Sequence, residues 1–176
     1  MIMGRRQTLK LKGKTVIFID RANVYGWKKS LSKPVDPKLL FKYLKKYPEI
    51  ESIGFYYGTD RHPKSKAFIK EVRETGHEVT TKPVKYINLG KIEGEIIKKR
   101  KCDFDIEISM SVYKHLKMDF DTYIFFTGDG DLQPLYRHLI KLGKRVLVIY
   151  ERGHLGKEIR NIKRGLFKTR WSYLGI

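Results

Sequence analysis

Two carboxylates one residue apart follow an apolar run in the second half of the chain. The run Tyr123-Ile-Phe-Phe126 leads directly into Thr-Gly-Asp129-Gly-Asp131. The apolar run predicts a buried strand, and the two glycines allow the backbone to turn sharply after it. Both carboxylates are therefore expected at the carboxyl end of a strand, which is the edge where open α/β sheets bind ligands.

Two further acids are expected at the same edge. Asp20 ends a second apolar run that begins at Thr15, and Asp105 opens a predicted helix. Right-handed crossovers place strand ends and the following helix starts on one edge of a parallel sheet. Carboxylates that meet there repel one another unless a cation is bound. Mg²⁺ or Mn²⁺ prefers such oxygen ligands, binds phosphate oxygens and can activate water for phosphodiester hydrolysis.

Each acid also has a purely structural interpretation. Asp105 and Asp131 can cap the helices that they precede, and Asp20 can form an Asx turn with Asn23. A capping carboxylate keeps one oxygen free, so capping and metal binding are compatible. The joint placement of the four acids at one edge favours a shared site over four separate caps.

The charge of the chain indicates a polyanionic partner. The 176 residues carry 38 Lys and Arg against 19 Asp and Glu, a net charge of +19. This two-to-one excess favours nucleic acid over a balanced, thermophile-type surface. One cysteine excludes an internal disulfide and a multi-cysteine zinc site. No apolar run approaches the roughly 18 residues of a membrane span, which predicts a cytoplasmic protein. Residues 1–13 are interpreted as a flexible basic arm, and a homodimer is left open.

Basic and aromatic residues flank the predicted acidic pocket. Arg21 can bind the scissile phosphate or offset the carboxylate charge, and Tyr25 and Trp27 can stack on unpaired bases or pack internally. Two further basic groups can bind phosphates or form a solvated surface. The group that precedes Asp105 consists of Lys98, Lys99, Arg100 and Lys101. The group that follows the strand predicted over 145–150 consists of Arg152, Lys157, Arg160 and Arg164.

Strand and helix patterns alternate along the chain, which predicts an α/β fold with a mostly parallel sheet covered on both faces. A loop with Asn23, Gly26 and Pro34 follows the first strand, and a long surface loop is predicted for 88–101. Predicted strands span 15–20, 52–57, 78–87 (with Pro83 at an edge or a bulge), 122–127, 145–150 and 167–174. Predicted helices span 37–47, 64–75, 103 or 105 to 117, 132–142 and, with a basic sequence, 156–165.

Three segments resemble the motifs of NYN domains, in the LabA/DUF88-type branch of the PIN-like nuclease superfamily. They are Ile-Asp20-Arg-Ala-Asn23-Val-Tyr, Lys101-Cys-Asp-Phe-Asp105-Ile-Glu-Ile and Phe126-Thr-Gly-Asp-Gly-Asp131-Leu-Gln-Pro-Leu. The resemblance covers about residues 14–150 and implies a Rossmann-like (PIN-like) α/β/α sandwich and metal-dependent RNA cleavage. The length of 176 residues fits one domain, which is predicted over 14–176 with a basic C-terminal segment. By position, it implies that Asp20, Asp105, Asp129 and Asp131 hold the metal. It also implies that Asn23 orients Asp20 or the substrate, and that Thr127 supports the pocket.

One departure from the family pattern leaves a second function open. The branch often carries another acid six residues after Asp105, and Ser111 stands there. The leading interpretation is a Mg²⁺- or Mn²⁺-dependent endoribonuclease, and the alternative is an RNA-binding module with weak or no catalysis. A haloacid-dehalogenase-like phosphatase is disfavoured, because Arg21 and Ala22 follow Asp20 where that chemistry needs a second acid two residues on.

Overall fold

The computed structural model describes residues 7–92 and 95–176, apart from the side chains at positions 91, 92, 95, 98 and 99. Its strands are β1 (Thr15–Asp20), β2 (Ile50–Thr59), β3 (Glu78–Pro83), β4 (Lys85–Ile92), β5 (Glu95–Lys101), β6 (Thr122–Phe126), β7 (Arg145–Tyr150) and β8 (Leu166–Arg170). Its helices are α1 (Arg21–Gly26), α2 (Lys28–Leu31), α3 (Pro37–Leu44), α4 (Pro63–Glu74), α5 (Asp105–Lys117), α6 (Gln133–Lys141) and α7 (Lys157–Arg160).

Six strands form one parallel sheet in the order β3-β2-β1-β6-β7-β8. Apolar side chains cover both faces of the sheet. Along β1, Ile17 and Ile19 belong to the core on one face, whereas Val16 and Phe18 belong to the core on the other face. A strand that is apolar at every position is typical of a parallel sheet with helices on both sides. The predicted α/β fold with a mostly parallel sheet is therefore confirmed.

The segment predicted as a surface loop over 88–101 is instead part of a β-hairpin, so that prediction was wrong. Strands β4 and β5 pair antiparallel from Lys85 with Lys101 to Ile92 with Glu95, and the register shifts between Asn88 and Gly90. The basic composition concealed the strand pattern, because several apolar side chains of the ribbon are exposed rather than buried in the core. These exposed side chains include Tyr86, Ile87, Leu89, Ile96 and Ile97.

The loop predicted after β1 is helical at its start. Asp20 accepts hydrogen bonds from the backbone nitrogens of Ala22 and Asn23, so α1 begins directly after the strand. Asp36 makes the same two bonds to Lys38 and Leu39 at the start of α3, as its sequence context predicts.

The predicted basic helix over 156–165 was too long. Helix α7 spans only Lys157–Arg160, and Gly165 adopts a φ of 80°, which ends any helical continuation before β8. The following strand β8 pairs parallel with β7 and closes that side of the sheet.

The described part of the N-terminal segment packs on the sheet, contrary to the interpretation of residues 1–13 as a flexible arm. Gln7 donates a backbone hydrogen bond to the Tyr173 carbonyl, Leu9 is buried in the core, and Lys12 exchanges hydrogen bonds with Thr122. Residues 1–6 of the predicted arm lie outside the described residues. Within the described chain, no helix has the length and apolarity that crossing a membrane requires.

Candidate active site

Asp20 lies at the carboxyl end of β1, in a position that disfavours its charge. Its side chain is 9% exposed, and its Oδ1 accepts from the backbone nitrogens of Ala22 (3.0 Å) and Asn23 (3.3 Å). Burial raises the pKa of Asp20 to about 6 and the charges of Asp129 and Asp105 push it in the same direction, although the two hydrogen bonds oppose the increase. Asp20 is thus both a helix cap and a member of a group of neighbouring carboxylates.

The loop that carries Asp129 and Asp131 is held by a series of hydrogen bonds. Thr127 is buried, and its Oγ1 accepts from the backbone nitrogen of Asp129 at 3.2 Å. Asp129 Oδ1 in turn accepts from the nitrogen of Asp131 at 3.1 Å. The Gly128 nitrogen donates to Asn23 Oδ1 at 3.0 Å, which fastens the loop to α1. The side chain of Asn23 therefore positions the acidic loop, whereas the resemblance implied a bond to Asp20 or the substrate.

Gly128 is required at its position for steric reasons. A Cβ atom there would lie 1.5 Å from the backbone oxygen of His154, and the Gly128 carbonyl accepts from the Gly156 nitrogen at 2.8 Å. The chain after β7 therefore packs directly against the acidic loop. A Cβ atom at Gly130 would meet only the carboxylate of Glu158, which is an exposed side chain.

Asp105 brings a third segment to the same edge. It is the first residue of α5 and is half-buried, and it does not cap the helix. Burial raises its pKa, and the charges of Asp129, Asp103 and Asp131 add to this effect, whereas Lys82 opposes it. Asp129 thus acts on both Asp20 and Asp105. Asp131 also acts on Asp105 and is the exposed member of this group.

The carboxylates suit a divalent cation in type more than in arrangement. Oxygen donors with excess negative charge are what Mg²⁺ and Mn²⁺ prefer. Among the described residues, however, no three His, Cys, Asp or Glu side chains are arranged to hold a metal ion together. Asp20 and Asp129 each use Oδ1 for backbone hydrogen bonds and have Oδ2 available. The donor chemistry therefore fits the predicted cofactor, and a closed set of three ligands is not present in the described side chains.

Tyr136 lies beneath this group and was not identified from the sequence. Its side chain is fully buried against Phe125, and its hydroxyl has no hydrogen-bond partner among the described residues. Burial raises its pKa, followed by the charges of Asp129, Asp20 and Asp105. In the sequence Tyr136 appears as one more apolar position of α6. A tyrosine on the buried face of the helix after the acidic loop is the signal that could have found it, because a buried hydroxyl normally has a partner.

Comparison with known proteins identifies the family. The profile of the NYN domain matches residues 14–167. The chain belongs to the NYN domain family. The low amplitude and bright protein LabA of Synechococcus elongatus is 26% identical over 147 residues, which cover 82% of this chain and 77% of LabA. The crystal structure of a protein of unknown function from Vibrio parahaemolyticus superposes with a TM-score of 0.66 at 22% identity. The superposition covers 92% of this chain and 96% of the Vibrio chain, and it supports the fold.

NYN domains form part of the PIN-like nuclease superfamily, and the three segments that resemble NYN motifs all lie within the matched range.

The basic segment that precedes Asp105 reaches the acidic residues of this NYN domain. Lys101 forms an ion pair with Asp103 at 3.1 Å, and the hydrogen bond and charge of Asp103 raise its pKa, with further contributions from Asp131 and Asp105. Arg100 donates to the Gly58 carbonyl at 2.9 Å and lies 3.5 Å from Asp60. The side chains of Lys98 and Lys99 lie outside the described residues.

Arg21 does not offset the charge of the carboxylates. Its guanidinium stacks over the rings of Tyr25 (4.7 Å) and Phe68 (5.2 Å), and it forms no salt bridge in the described part of the chain. Its Nη1 is buried without a hydrogen-bond partner there. Trp27 is fully buried against Trp171, so its packing role is the correct one, whereas Tyr25 remains 46% exposed.

The second predicted basic group is exposed beside the acidic loop. Arg152 lies two residues after the end of β7, and α7 carries Lys157 and Arg160 next to the Gly156 that contacts Gly128. Arg164 is exposed in the turn before β8. These four side chains remain predicted phosphate contacts.

Ser111 lies on α5 well away from the start of that helix. Six residues correspond to about 9 Å along a helix axis. Burial raises the pKa of Tyr56 to about 12, and a hydrogen bond with Ser111 opposes that increase; the acids that bear on Tyr56 are Glu78 and Glu107. One turn further on, His115 Nε2 lies 3.2 Å from Ser52 Oγ, near the opposite end of β2. Ser111 therefore contacts β2 and is not an empty ligand position within the group of Asp20, Asp105 and Asp129.

Proposed function

We propose that this NYN domain is a metal-dependent endoribonuclease that hydrolyses RNA phosphodiester bonds at the carboxyl edge of its sheet. The observation that supports the proposal is that burial raises the pKa of Asp20 and of Asp105, and that the charge of Asp129 adds to both increases. Such a group is unfavourable without a cation, and it lies in a chain with a net charge of +19 that attracts a polyanion. Membership in a nuclease superfamily supports the same activity.

The roles of the individual residues follow from their contacts. Asp20, Asp105, Asp129 and Asp131 would hold Mg²⁺ or Mn²⁺, which supplies charge stabilisation and an activated water when bound. Asn23 and Thr127 fix the backbone of the acidic loop, so that the carboxylates stay close despite their repulsion. Lys101 and the exposed residues Arg152, Lys157, Arg160 and Arg164 would bind phosphates that flank the cleaved bond.

An RNA-binding NYN domain without catalysis is the second candidate. The observation that favours it is the lack of a three-donor metal group among the described residues. Ser111 gives this candidate little support, because it contacts Tyr56 on β2. Cytoplasmic localisation and the oligomeric state stay predictions.

A cleavage assay with isosteric variants separates the two candidates. Purified protein is incubated with end-labelled RNA, with and without Mg²⁺ or Mn²⁺, and each variant is also titrated with Mn²⁺ by calorimetry. Asp129→Asn keeps an oxygen for the Asp131 nitrogen but removes the charge, and we expect cleavage to fall by more than about 100-fold because metal stabilisation contributes several kcal/mol. Asp36→Asn, at an exposed helix cap, is the matched control and should cleave like the natural chain.

Two results would contradict the nuclease proposal. One is cleavage that survives both chelator and Asp129→Asn. The other is tight RNA binding with no cleavage at any Mn²⁺ concentration, which would favour the binding module. Ser111→Asp adds a further arm: because Ser111 contacts Tyr56 and not the acidic group, we expect no gain of cleavage, and a gain would contradict that placement.

A further inference from the structure

A large open cleft lies at the same edge of the sheet as the acidic group, and none of the four acids lines it. It has a volume of about 1080 Å³ and lies at the carboxyl ends of β2 and β3, between the start of α4 and the root of the β4–β5 hairpin. Sites for drug-sized molecules measure roughly 300–1,000 Å³ and are mostly enclosed. An open cleft of this size suits an extended ligand better than a small molecule.

The cleft continues from the acidic edge of the sheet. Asp20 pairs in register with Tyr56 on β2, and the cleft begins three residues further along that strand, at Thr59. Three strand residues span about 10 Å. Arg21 lies between the two places, since its guanidinium stacks on Phe68 of α4, which in turn packs on Tyr57. A chain bound in the cleft can therefore reach the carboxylates past the half-buried Arg21.

The walls of the cleft carry the chemistry that recognises unpaired nucleotides. Arg61 and Lys66 are exposed and form no ion pair within the described residues. The negative charge at Asp60 is already matched by Arg100, which leaves the two cations for phosphates. On the hairpin side, Tyr86 is 56% exposed and presents an aromatic ring beside Val84. An aromatic platform beside a positively charged groove is the arrangement that binds single-stranded nucleic acid.

We infer that this cleft binds the single-stranded RNA that flanks the cleaved bond, with Arg61 and Lys66 on its phosphates and Tyr86 stacked on a base. The inference rests on the proposed function, and it adds the residues of this chain over which the flanking strand passes. A paired base has no free face for Tyr86, so a duplex cannot make the stacking contact. The hairpin that sequence patterns missed thereby forms one wall of the substrate channel.

Binding in the presence of EDTA tests this inference without any cleavage. The probes are a 5′-fluorescein-labelled 12-nucleotide oligouridine and a labelled 12-base-pair RNA duplex, followed by fluorescence anisotropy. Tyr86→Ala should weaken binding of the single strand by about 5- to 150-fold, the range expected for losing one stacked base, and should leave duplex binding unchanged. Tyr113→Ala is the matched control, because Tyr113 is a tyrosine of similar exposure on α5.

The charge contribution has its own matched pair of double variants. Arg61→Ala/Lys66→Ala should reduce the slope of log K against log salt for the single strand by about 1.4, which corresponds to two phosphate contacts. Lys117→Ala/Lys141→Ala removes the same charge from exposed positions in the last turns of α5 and α6, away from the cleft, and should change the slope little. Thermal unfolding of all four variants should match that of the natural chain, since every replaced side chain is exposed.

The outcomes separate this inference from the proposed nuclease. Absence of oligouridine binding by the natural chain, unchanged binding by Tyr86→Ala, or equal losses in the two double variants would each overturn the cleft assignment. If the cleft variants lose single-strand binding while the natural chain never cleaves with Mg²⁺ or Mn²⁺, the cleft assignment stands and the nuclease proposal fails. If the natural chain cleaves and the cleft variants keep its KM, the nuclease stands and the cleft assignment fails.

Discussion

Replacing Asp20 by asparagine should make the metal-free protein more stable at neutral pH. Asp20 is 9% exposed, and its pKa is raised from the ordinary 3.8 to about 6, mainly by burial. Asparagine is also a good helix cap, and its side-chain oxygen can still accept from the backbone nitrogens of Ala22 and Asn23. The substitution therefore removes the unfavourable charge and keeps the local structure.

The magnitude follows from proton linkage. The folded chain binds the Asp20 proton more tightly than the unfolded chain does. The stabilisation of the fold by this proton is therefore complete below pH 3.8 and is lost as the pH rises through about 6. Each pKa unit corresponds to 1.36 kcal/mol, and the increase from 3.8 to about 6 therefore amounts to about 3 kcal/mol at pH 7.5. At pH 4 the same relation gives a destabilisation by the Asp20 charge of less than about 1 kcal/mol.

The assay is urea unfolding in EDTA at pH 4 and pH 7.5. The free energy of unfolding of Asp20→Asn should exceed that of the natural chain by up to about 3 kcal/mol at pH 7.5 and by little at pH 4. Asp36→Asn is the control, because Asp36 makes the same pair of cap hydrogen bonds at an exposed position. Its stability should equal that of the natural chain at both pH values. If Asp20→Asn is destabilising at pH 7.5, or if its gain is the same at pH 4, the carboxylate is not strained by burial and like charge.

Two further substitutions test the loop and the buried hydroxyl. Gly128→Ala should destabilise the protein by about 3 kcal/mol or more, because its Cβ would meet the His154 backbone, while Gly130→Ala meets only the Glu158 side chain and should cost less than about 1 kcal/mol; equal urea midpoints would refute this. Tyr136→Phe should stabilise the metal-free protein by about 1 kcal/mol, as should Tyr123→Phe, since both hydroxyls are buried without partners in the described chain. A loss of stability in calorimetry for Tyr136→Phe alone would mean that the carboxylates above it accept a hydrogen bond.

The parts of the fold that the sequence predicts well are those in which local pattern and burial agree. β1, β6 and β7 are continuous apolar runs ended by turn residues, and their predicted bounds differ from the structure by one residue at most. The hairpin of β4 and β5 was not predicted because its apolar residues are exposed and show no regular alternation with its polar and basic residues. Periodicity reports burial against a core, and a ribbon that leaves the core gives no such signal.

The candidate site shows the same division. Asp20, Asp105 and the acidic loop could be placed at one edge, because topology alone determines where strands end and helices begin. The contact from Asn23 to the Gly128 nitrogen could not be predicted, since it depends on the first loop being a helix. Tyr136 was hidden for a different reason. Its spacing on α6 is that of any core residue, and only the structure shows which charges lie above it.

The hydrogen bonds around the acidic group explain why the repulsion within it persists. Isolated carboxylates with a raised pKa would move apart or turn toward solvent. Here Asp20 is fixed as the cap of α1, and Asn23 from that same helix holds the loop of Asp129. Gly128 is wedged against the His154 backbone, so the loop cannot retreat from β1. Because the carboxylates cannot move apart, the free energy of their repulsion is offset by the stability of the whole sheet. A cation that bound there would remove this repulsion, and the removal would add to the free energy of cation binding.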